Sequence, residues 1–272
     1  MATALLEPTP LFWERSLPPS AQTNPSIPPT FHDAMTVRTT VFVQEQNIPQ
    51  ENEYDSDDAR CAHWVLYADQ TKTTPIGTIR LVPFPHPPHP VPGGVYVDGV
   101  LMNPSTSPSH SQPPATTIPA PSQPSSPPSS TPQIPPHPTN EEEDEEEPYL
   151  KLGRLAILPT HRRAGHAAIL IRTALSWARS HPSYFDSPPA PEPSSSTSSP
   201  PPPTGPAGEQ ATNPTPRHWK GLILCHAQVD AVKVWERCGF RVDEAMGRWY
   251  EEGIEHVGCV LRVDVERAGE GV

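Results

Sequence analysis

Apolar positions along the chain fall into short blocks of two different periods, separated by long stretches with almost none. In residues 31–46 they recur at 31, 34, 35, 37, 41 and 42, a helical spacing, with Thr30 placed to cap the start. Residues 47–60 are polar and acidic and read as a loop holding Glu51, Glu53, Asp55, Asp57 and Asp58. CAHWVLYAD (61–69) and IGTIRLVPF (76–84) read as strands joined by a short polar turn, an antiparallel hairpin, and VYVDGVLM (95–102) extends this sheet. YLKLGRLAIL (149–158) is a strand ended by Pro159. After a basic turn at 161–167, Ile169, Leu170, Ala174, Leu175 and Trp177 define an amphipathic helix over 168–180. GLILCHAQV (221–229) is a continuous apolar run typical of a buried strand. Asp230 is placed to cap a helix over 231–238 that Gly239 stops, and FRVDE (240–244) and HVGCVLRV (256–263) add two strands around a loop at 246–253.

The order helix, β-hairpin, β, α, β, α, β, β predicts an α/β fold, a mixed sheet with helices on its faces and an antiparallel arm. The strands at 149–158 and 221–229 flank a crossover helix and should be parallel neighbours.

Composition removes much of the chain from this fold. Of 42 prolines, thirteen lie in 103–139 and eleven in 183–217, in segments otherwise rich in Ser, Thr, Gln and His. Such segments bury too little apolar surface to offset chain ordering. The chain therefore divides into a flexible extension over 1–29 and a single domain over 30–265. Two disordered insertions interrupt that domain, Pro/Ser-rich and acidic at 103–148 and Pro/Ser-rich at 183–217. The net charge of −12 speaks against a general nucleic-acid-binding surface, and seven of the negative charges sit in the run EEEDEEE (141–147), a solvated acidic linker. Four cysteines without CxxC pairing fit reduced thiols, and no segment approaches 18 apolar residues, so no membrane partner is expected. The expected location is cytoplasmic or nuclear.

The chemistry-bearing piece is the basic turn, Arg162-Arg163-Ala164-Gly165-His166-Ala167, between a strand and the start of a helix. A helix N-terminus presents unpaired N–H groups and partial positive charge, and small residues keep that backbone approachable, which suits a pyrophosphate. A basic helix start in an ordinary α/β protein would explain the same residues. The turn is neither a P-loop nor a GxGxxG fingerprint.

Arg-x-x-Gly-x-Ala after GRLAIL resembles the acyl-CoA-binding motif of the GNAT N-acyltransferase superfamily. Downstream, Ala227-Gln228, Ala231, Trp235 and Gly239-Phe240 resemble its AQ…A…aromatic…GF pattern. VFVQEQ (41–46), ENEYDSDDARCAHW (51–64), IGTIRL (76–81) and GIEHVG (253–258) are similar to a subgroup of small acetyltransferases that includes ElaA-like proteins. The resemblance implies a mostly antiparallel central sheet in which one parallel strand pair splays apart to admit the pantetheine arm of acetyl-CoA. Main-chain groups of Leu155, Ala156 and Ile157 would then hold the pantetheine. Arg162, Arg163, Ala164, Gly165, His166, Ala167 and Ala168 would hold the pyrophosphate. A small-molecule or protein amine would attack the thioester directly, with no covalent enzyme intermediate and no metal.

The amine must lose a proton, and Glu45, His63 and His256 are the candidate bases, Glu45 first. Each has a plain structural reading as well: an ion-pair partner, a half-buried strand residue and a satisfied strand edge. Trp235 stands where many family members carry a tyrosine able to protonate the thiolate, so acyl-CoA binding without catalysis, with the Pro-rich linkers acting as a scaffold, is the alternative function. PxxP sequences in those linkers suit SH3 or WW domains. His86, His89, His110 and His137 lie in Pro-rich runs without Cys partners and read as no metal site. The acidic residues at 51–58 read either as a surface loop or as an attractor for a cationic acceptor.

Overall fold

The structure, a computed structural model, describes residues 1–102, 147–186 and 218–266. The acidic run and the PxxP segments lie outside these residues, Glu147 excepted.

The described residues form one sheet built from β1 (Ala2–Leu6), β2 (Ala62–Tyr67), β3 (Pro75–Val82), β4 (Val95–Val97), β5 (Val100–Leu101), β6 (Leu150–Ile157), β7 (Leu222–Gln228), β8 (Arg241–Val242), β9 (Arg248–Glu251) and β10 (Ile254–Arg262). Their spatial order is β1-β2-β3-β6-β7-β10-β9-β4-β5, with β8 on β10. Pairing is antiparallel except for β6 with β7, as expected, and β4 with β9. The helices are α1 (Pro29–Arg38), α2 (Gln50–Glu53), α3 (His166–Ser180) and α4 (Val232–Glu236).

Helices cover both faces of the sheet centre, which explains why β2 is buried at every position. Trp64 and Leu66 face α3, packing with Leu170, Ile171, Ala174 and Ala178, while Val65 and Tyr67 face the other way, against Ala34 of α1. The apolar stripe of α3 is therefore the seam of the main core, and each fully buried Leu or Ile in it contributes roughly 1.5–3 kcal/mol.

Several expectations are revised. Thr30 does not cap α1, because the Pro28-Pro29 pair sets the start and Pro29 occupies the first helical position. The helix does not run unbroken to residue 46 but widens into a π-type turn over Thr39–Glu45. Asp230 lies inside a 3-10 turn, Val229–Ala231, instead of capping α4. β4 and β5 do not extend the β2–β3 hairpin; they sit at the far edge, on β9. Residues 1–29, expected to be loose, supply β1, paired to β2 from Ala2↔Tyr67 to Leu6↔His63, and Trp13, 7% exposed, meets Phe31 edge-on at 5.4 Å. Residues 183–186 belong to the packed domain too: Phe185 is buried against Trp219 at 5.5 Å.

Candidate functional site

β6 and β7 are paired over only three positions, Leu150↔Ile223, Lys151↔Leu224 and Leu152↔Cys225. Beyond these, β6 stays bonded to β3, from Arg80↔Gly153 to Gly77↔Ile157, and β7 stays bonded to β10, from His226↔Gly258 to Gln228↔His256. The two strands therefore part, and the main-chain groups of residues 153–157 that point toward β7 leave the ladder. Sheet backbone that is not laddered needs another partner.

A bulge accompanies the parting. Arg154 and Leu155 together oppose Ile79, and Arg154 has φ +50°. The extra residue shifts the alternation, so that Leu150 and Leu152 before it and Leu155 and Ile157 after it all pack into the α3 core, while Ala156 joins Val37, Val41 and Phe42 on the other face.

Buried charges hold the bulged segment. Arg38 Nε lies 2.6 Å from Glu53 Oε1 and its Nη1 2.6 Å from Asp58 Oδ1. Arg80 meets Asp55 at 2.6 Å and Asp58 at 2.8 Å, and Arg154 meets Asp55 at 3.0 Å and Glu53 at 3.2 Å. Burial alone would raise the Asp55 and Asp58 carboxyls, but the guanidiniums outweigh it and hold both well below the usual carboxylate range. Three arginines and three acids thus form a neutral network. This corrects the reading of residues 51–58 as a surface loop, since Glu53 and Asp58 are 2% and 1% exposed.

Next to the parting lies a cavity of about 440 Å³, within the size range of small-molecule sites. Leu155, Ala231, Trp235 and Gln228 line it, as do Lys151, His226, Glu251 and His256. His86, which with His89 stacks on Tyr149, completes an outer wall, its ring 4.3 Å from the tyrosine's and its Nε2 2.9 Å from the Tyr149 carbonyl. Among the described residues no group of His, Cys, Asp and Glu is arranged to hold a metal ion.

At the C-terminal end of β6 the chain turns through Pro159–His161 and reaches α3 with Arg163 at φ +61° and Gly165 at φ +82°. The first helical bond runs from Ile169 N–H to the Gly165 carbonyl at 3.2 Å, which leaves the N–H groups of His166, Ala167 and Ala168 outside the helical ladder. A Cβ placed on Gly165 would meet nothing within 4 Å, and residues 162–165 are exposed. The turn is open to a ligand. His166 braces it, Nδ1 lying 2.8 Å from the His161 carbonyl. Arg162 is committed elsewhere, donating to the Ile157 carbonyl at 2.9 Å and pairing in bidentate fashion with Glu45 at 2.6 Å through Nη1. That leaves Arg163 as the exposed guanidinium of the turn.

The three candidate bases are not brought together. Glu45 is off the cavity, its carboxyl held below the usual range by the hydrogen bonds from Arg162. The next residue, Gln46, exchanges two amide hydrogen bonds with Gln228, 2.9 and 3.0 Å, so residues 45 and 46 tie the ends of both diverging strands. His63 is 1% exposed, edge-on to Phe31 at 5.2 Å, with Nε2 2.8 Å from the Asp58 carbonyl; burial pushes its pKa down to about 4. His256 alone of the three lines the cavity, with Nδ1 2.8 Å from the Ile254 carbonyl.

One cluster was not anticipated. His226 Nδ1 lies 2.8 Å from Glu251 Oε1 and 3.1 Å from Lys151 Nζ, and Trp249 Nε1 donates to the same Glu251 oxygen at 2.8 Å. Burial, then the Lys151 charge, pushes the His226 pKa down to about 4. Burial also lowers the Lys151 pKa, while His226, His256 and Lys151 keep Glu251 ionised against burial. The alternation of LILCHAQ places His226 on one face with Leu224 and Gln228, but β9, which brings Glu251, is only four residues long and carries no clear period.

No protein-family model matches the chain, and no curated protein matches it. Among solved structures it is similar to a Lactobacillus plantarum protein named as an N-acetyltransferase, at 16% identity and TM-score 0.46, over 96% of this chain and 99% of that one. It is similar to a Pseudomonas aeruginosa acyl-CoA N-acyltransferase at 14% identity and TM-score 0.44, over 97% and 100%. Escherichia coli ElaA matches at 12% identity and TM-score 0.44, over 95% and 97%.

Proposed function

We propose that this chain is an acetyl-CoA-dependent N-acyltransferase of the GNAT type, transferring the acyl group to a primary amine. The observation that carries this reading is the parting of β6 from β7 beside an open, glycine-turned helix start. An extended thiol arm fits unladdered strand backbone, and a diphosphate fits orphan N–H groups with an exposed guanidinium.

In this reading residues 153–157 hold the pantetheine arm through main-chain groups, the Ile157 carbonyl being already occupied by Arg162. A main-chain N–H there polarises the thioester carbonyl. The N–H groups of residues 166–168 and Arg163 hold the diphosphate. The amine nitrogen attacks the carbonyl carbon, the C–S bond breaks and the electron pair leaves on sulfur. Holding both reactants in one cleft supplies much of the acceleration. The thiolate, with a pKa near 8.5, leaves without a strong acid, which suits Trp235, whose indole N–H donates a hydrogen bond but is not a useful acid. That same Trp235 favours the second reading, acyl-CoA binding without turnover.

The test is thermal unfolding of the purified chain with acetyl-CoA, followed by thiol release with a panel of amines. Ligand at about 100 times its Kd adds roughly 2.7 kcal/mol, a rise of about 5–10 °C for a domain of this size. No rise would reduce the turn to an ordinary helix start. A rise without thiol release from any amine would favour the binding-only reading.

A further inference from the structure

We infer that His226, oriented by Glu251, is the group that accepts the proton of the attacking amine. This rests on the acyl-transfer reading above and names the base which that reading leaves open.

Glu251 is ionised and can only accept, so in the inferred tautomer Nδ1 donates to it at 2.8 Å, and Lys151 Nζ, 3.1 Å from the same atom, acts as a neighbouring charge and not as a donor to the ring. The lone pair of the neutral ring is then on Nε2. Among the described residues Nε2 has no hydrogen-bond partner, and the ring lines the same cavity as Leu155 and Trp235. A carboxylate that fixes an imidazole's tautomer and leaves its far nitrogen open to an attacking nucleophile is a general-base arrangement. Trp249 fixes the carboxylate in turn, donating to Glu251 at 2.8 Å and meeting the His226 ring edge-on at 4.8 Å. None of the earlier candidates combines these features: Glu45 is spent on Arg162, His63 is sealed against Phe31, and His256 has its Nδ1 on the Ile254 carbonyl and no hydrogen bond to a carboxylate among the described residues.

The groups facing His226 are Lys151 from β6, Glu251 and Trp249 from β9, and His256 from β10. Burial first, then Lys151 and the nearby His256, lower the ring's pKa and keep it neutral, and Glu251 opposes them. The ring is therefore available as an acceptor at neutral pH. As the amine nitrogen bonds to the carbonyl carbon and the thiolate departs, the N–H proton passes to Nε2 and then to solvent.

The rival is a donor role. If Lys151 supplied the hydrogen at Nδ1, Nε2 would carry a proton and stabilise the carbonyl oxygen instead. A donor keeps working when the ring is protonated, whereas a base stops, so the pH profile separates the two.

The experiment compares the parent chain with His226→Gln, His226→Ala and Lys151→Met. Acetyl-CoA affinity is read by calorimetry, turnover by thiol release and folding by circular dichroism. His226→Gln keeps a donor toward Glu251 but no basic nitrogen. Its kcat should fall about 10²- to 10⁴-fold with acetyl-CoA Kd unchanged, and added imidazole should restore part of the rate to His226→Ala. Lys151→Met removes a neighbouring cation, so the acid limb of kcat should move up toward neutral pH. Parental kcat in His226→Gln, or an acid limb unmoved by Lys151→Met, overturns the inference and leaves the acyl-transfer reading intact. Failure of the parent to bind acetyl-CoA overturns both.

Discussion

Gly165 separates strain from charge in the proposed diphosphate turn. At φ +82°, any L side chain is strained whatever the space available, and the space is open. Gly165→Ala should therefore cost about 1–2 kcal/mol, which lowers Tm by about 2–8 °C without crowding a ligand. Gly165→Glu bears the same strain and adds one negative charge. For a charge about 6 Å from a diphosphate, Coulomb's law gives about 0.7–2.8 kcal/mol per charge pair at dielectric constants between about 80 and 20. Two phosphate charges double this, to about 1.4–5.5 kcal/mol, or roughly 10-fold to 10⁴-fold in Kd. Calorimetric titration of acetyl-CoA into both variants is the assay, with desulfo-CoA as a ligand that keeps the diphosphate but lacks the thioester. Gly165→Glu should bind at least tenfold more weakly than Gly165→Ala, with both equally folded. Equal affinities would refute the placement of the diphosphate at the α3 N-terminus.

Two further predictions concern the buried charges. Arg38→Met leaves Glu53 and Asp58 without their shared guanidinium, and breaking such a pair costs about 3–5 kcal/mol; Tm should drop by about 6–20 °C, and a drop below about 2 °C would contradict the network. His63 has its pKa pushed from 6.5 down to about 4 by burial, so the unfolded chain takes up a proton that the fold refuses. The stability this supplies is complete above about pH 6.5 and is lost as pH falls toward about 4, with a slope of up to about 1.4 kcal/mol per pH unit. His63→Gln should flatten the Tm–pH curve in that window, and an unchanged slope would be the contrary result.

Where a local pattern determined the structure, the sequence could be read. The stripe of α3 and the runs of β6 and β7 are long, and their burial on both faces or along one seam leaves a clear period. β9 escaped because RWYE is four residues long, with one buried side chain between exposed ones. It is defined by the tight turn at Glu252 and Gly253, both at positive φ, which folds it onto β10. The acids at 51–58 were illegible for another reason: their partners are Arg38, Arg80 and Arg154, on α1, β3 and β6. No composition window contains both halves of that network. Likewise the pairing of Glu45 with Arg162 spans 117 positions, so a plausible base became a strand-end tether only when the chain was folded.

The splay and the ionic network depend on each other. A non-glycine residue at φ +50° costs of order 1–3 kcal/mol and persists only where its surroundings over-determine it. Here the surroundings are Asp55 and Glu53, which already face two other guanidiniums and would be left short of positive charge if Arg154 swung away. A straight β6 would spare the strain but reverse the alternation beyond residue 153, turning Leu155 and Ile157 out of the α3 core. One buried and one half-buried aliphatic chain and two ion pairs outweigh one strained backbone. The bulge is thus the stable solution, and the unladdered backbone between β6 and β7 comes with it before any ligand arrives.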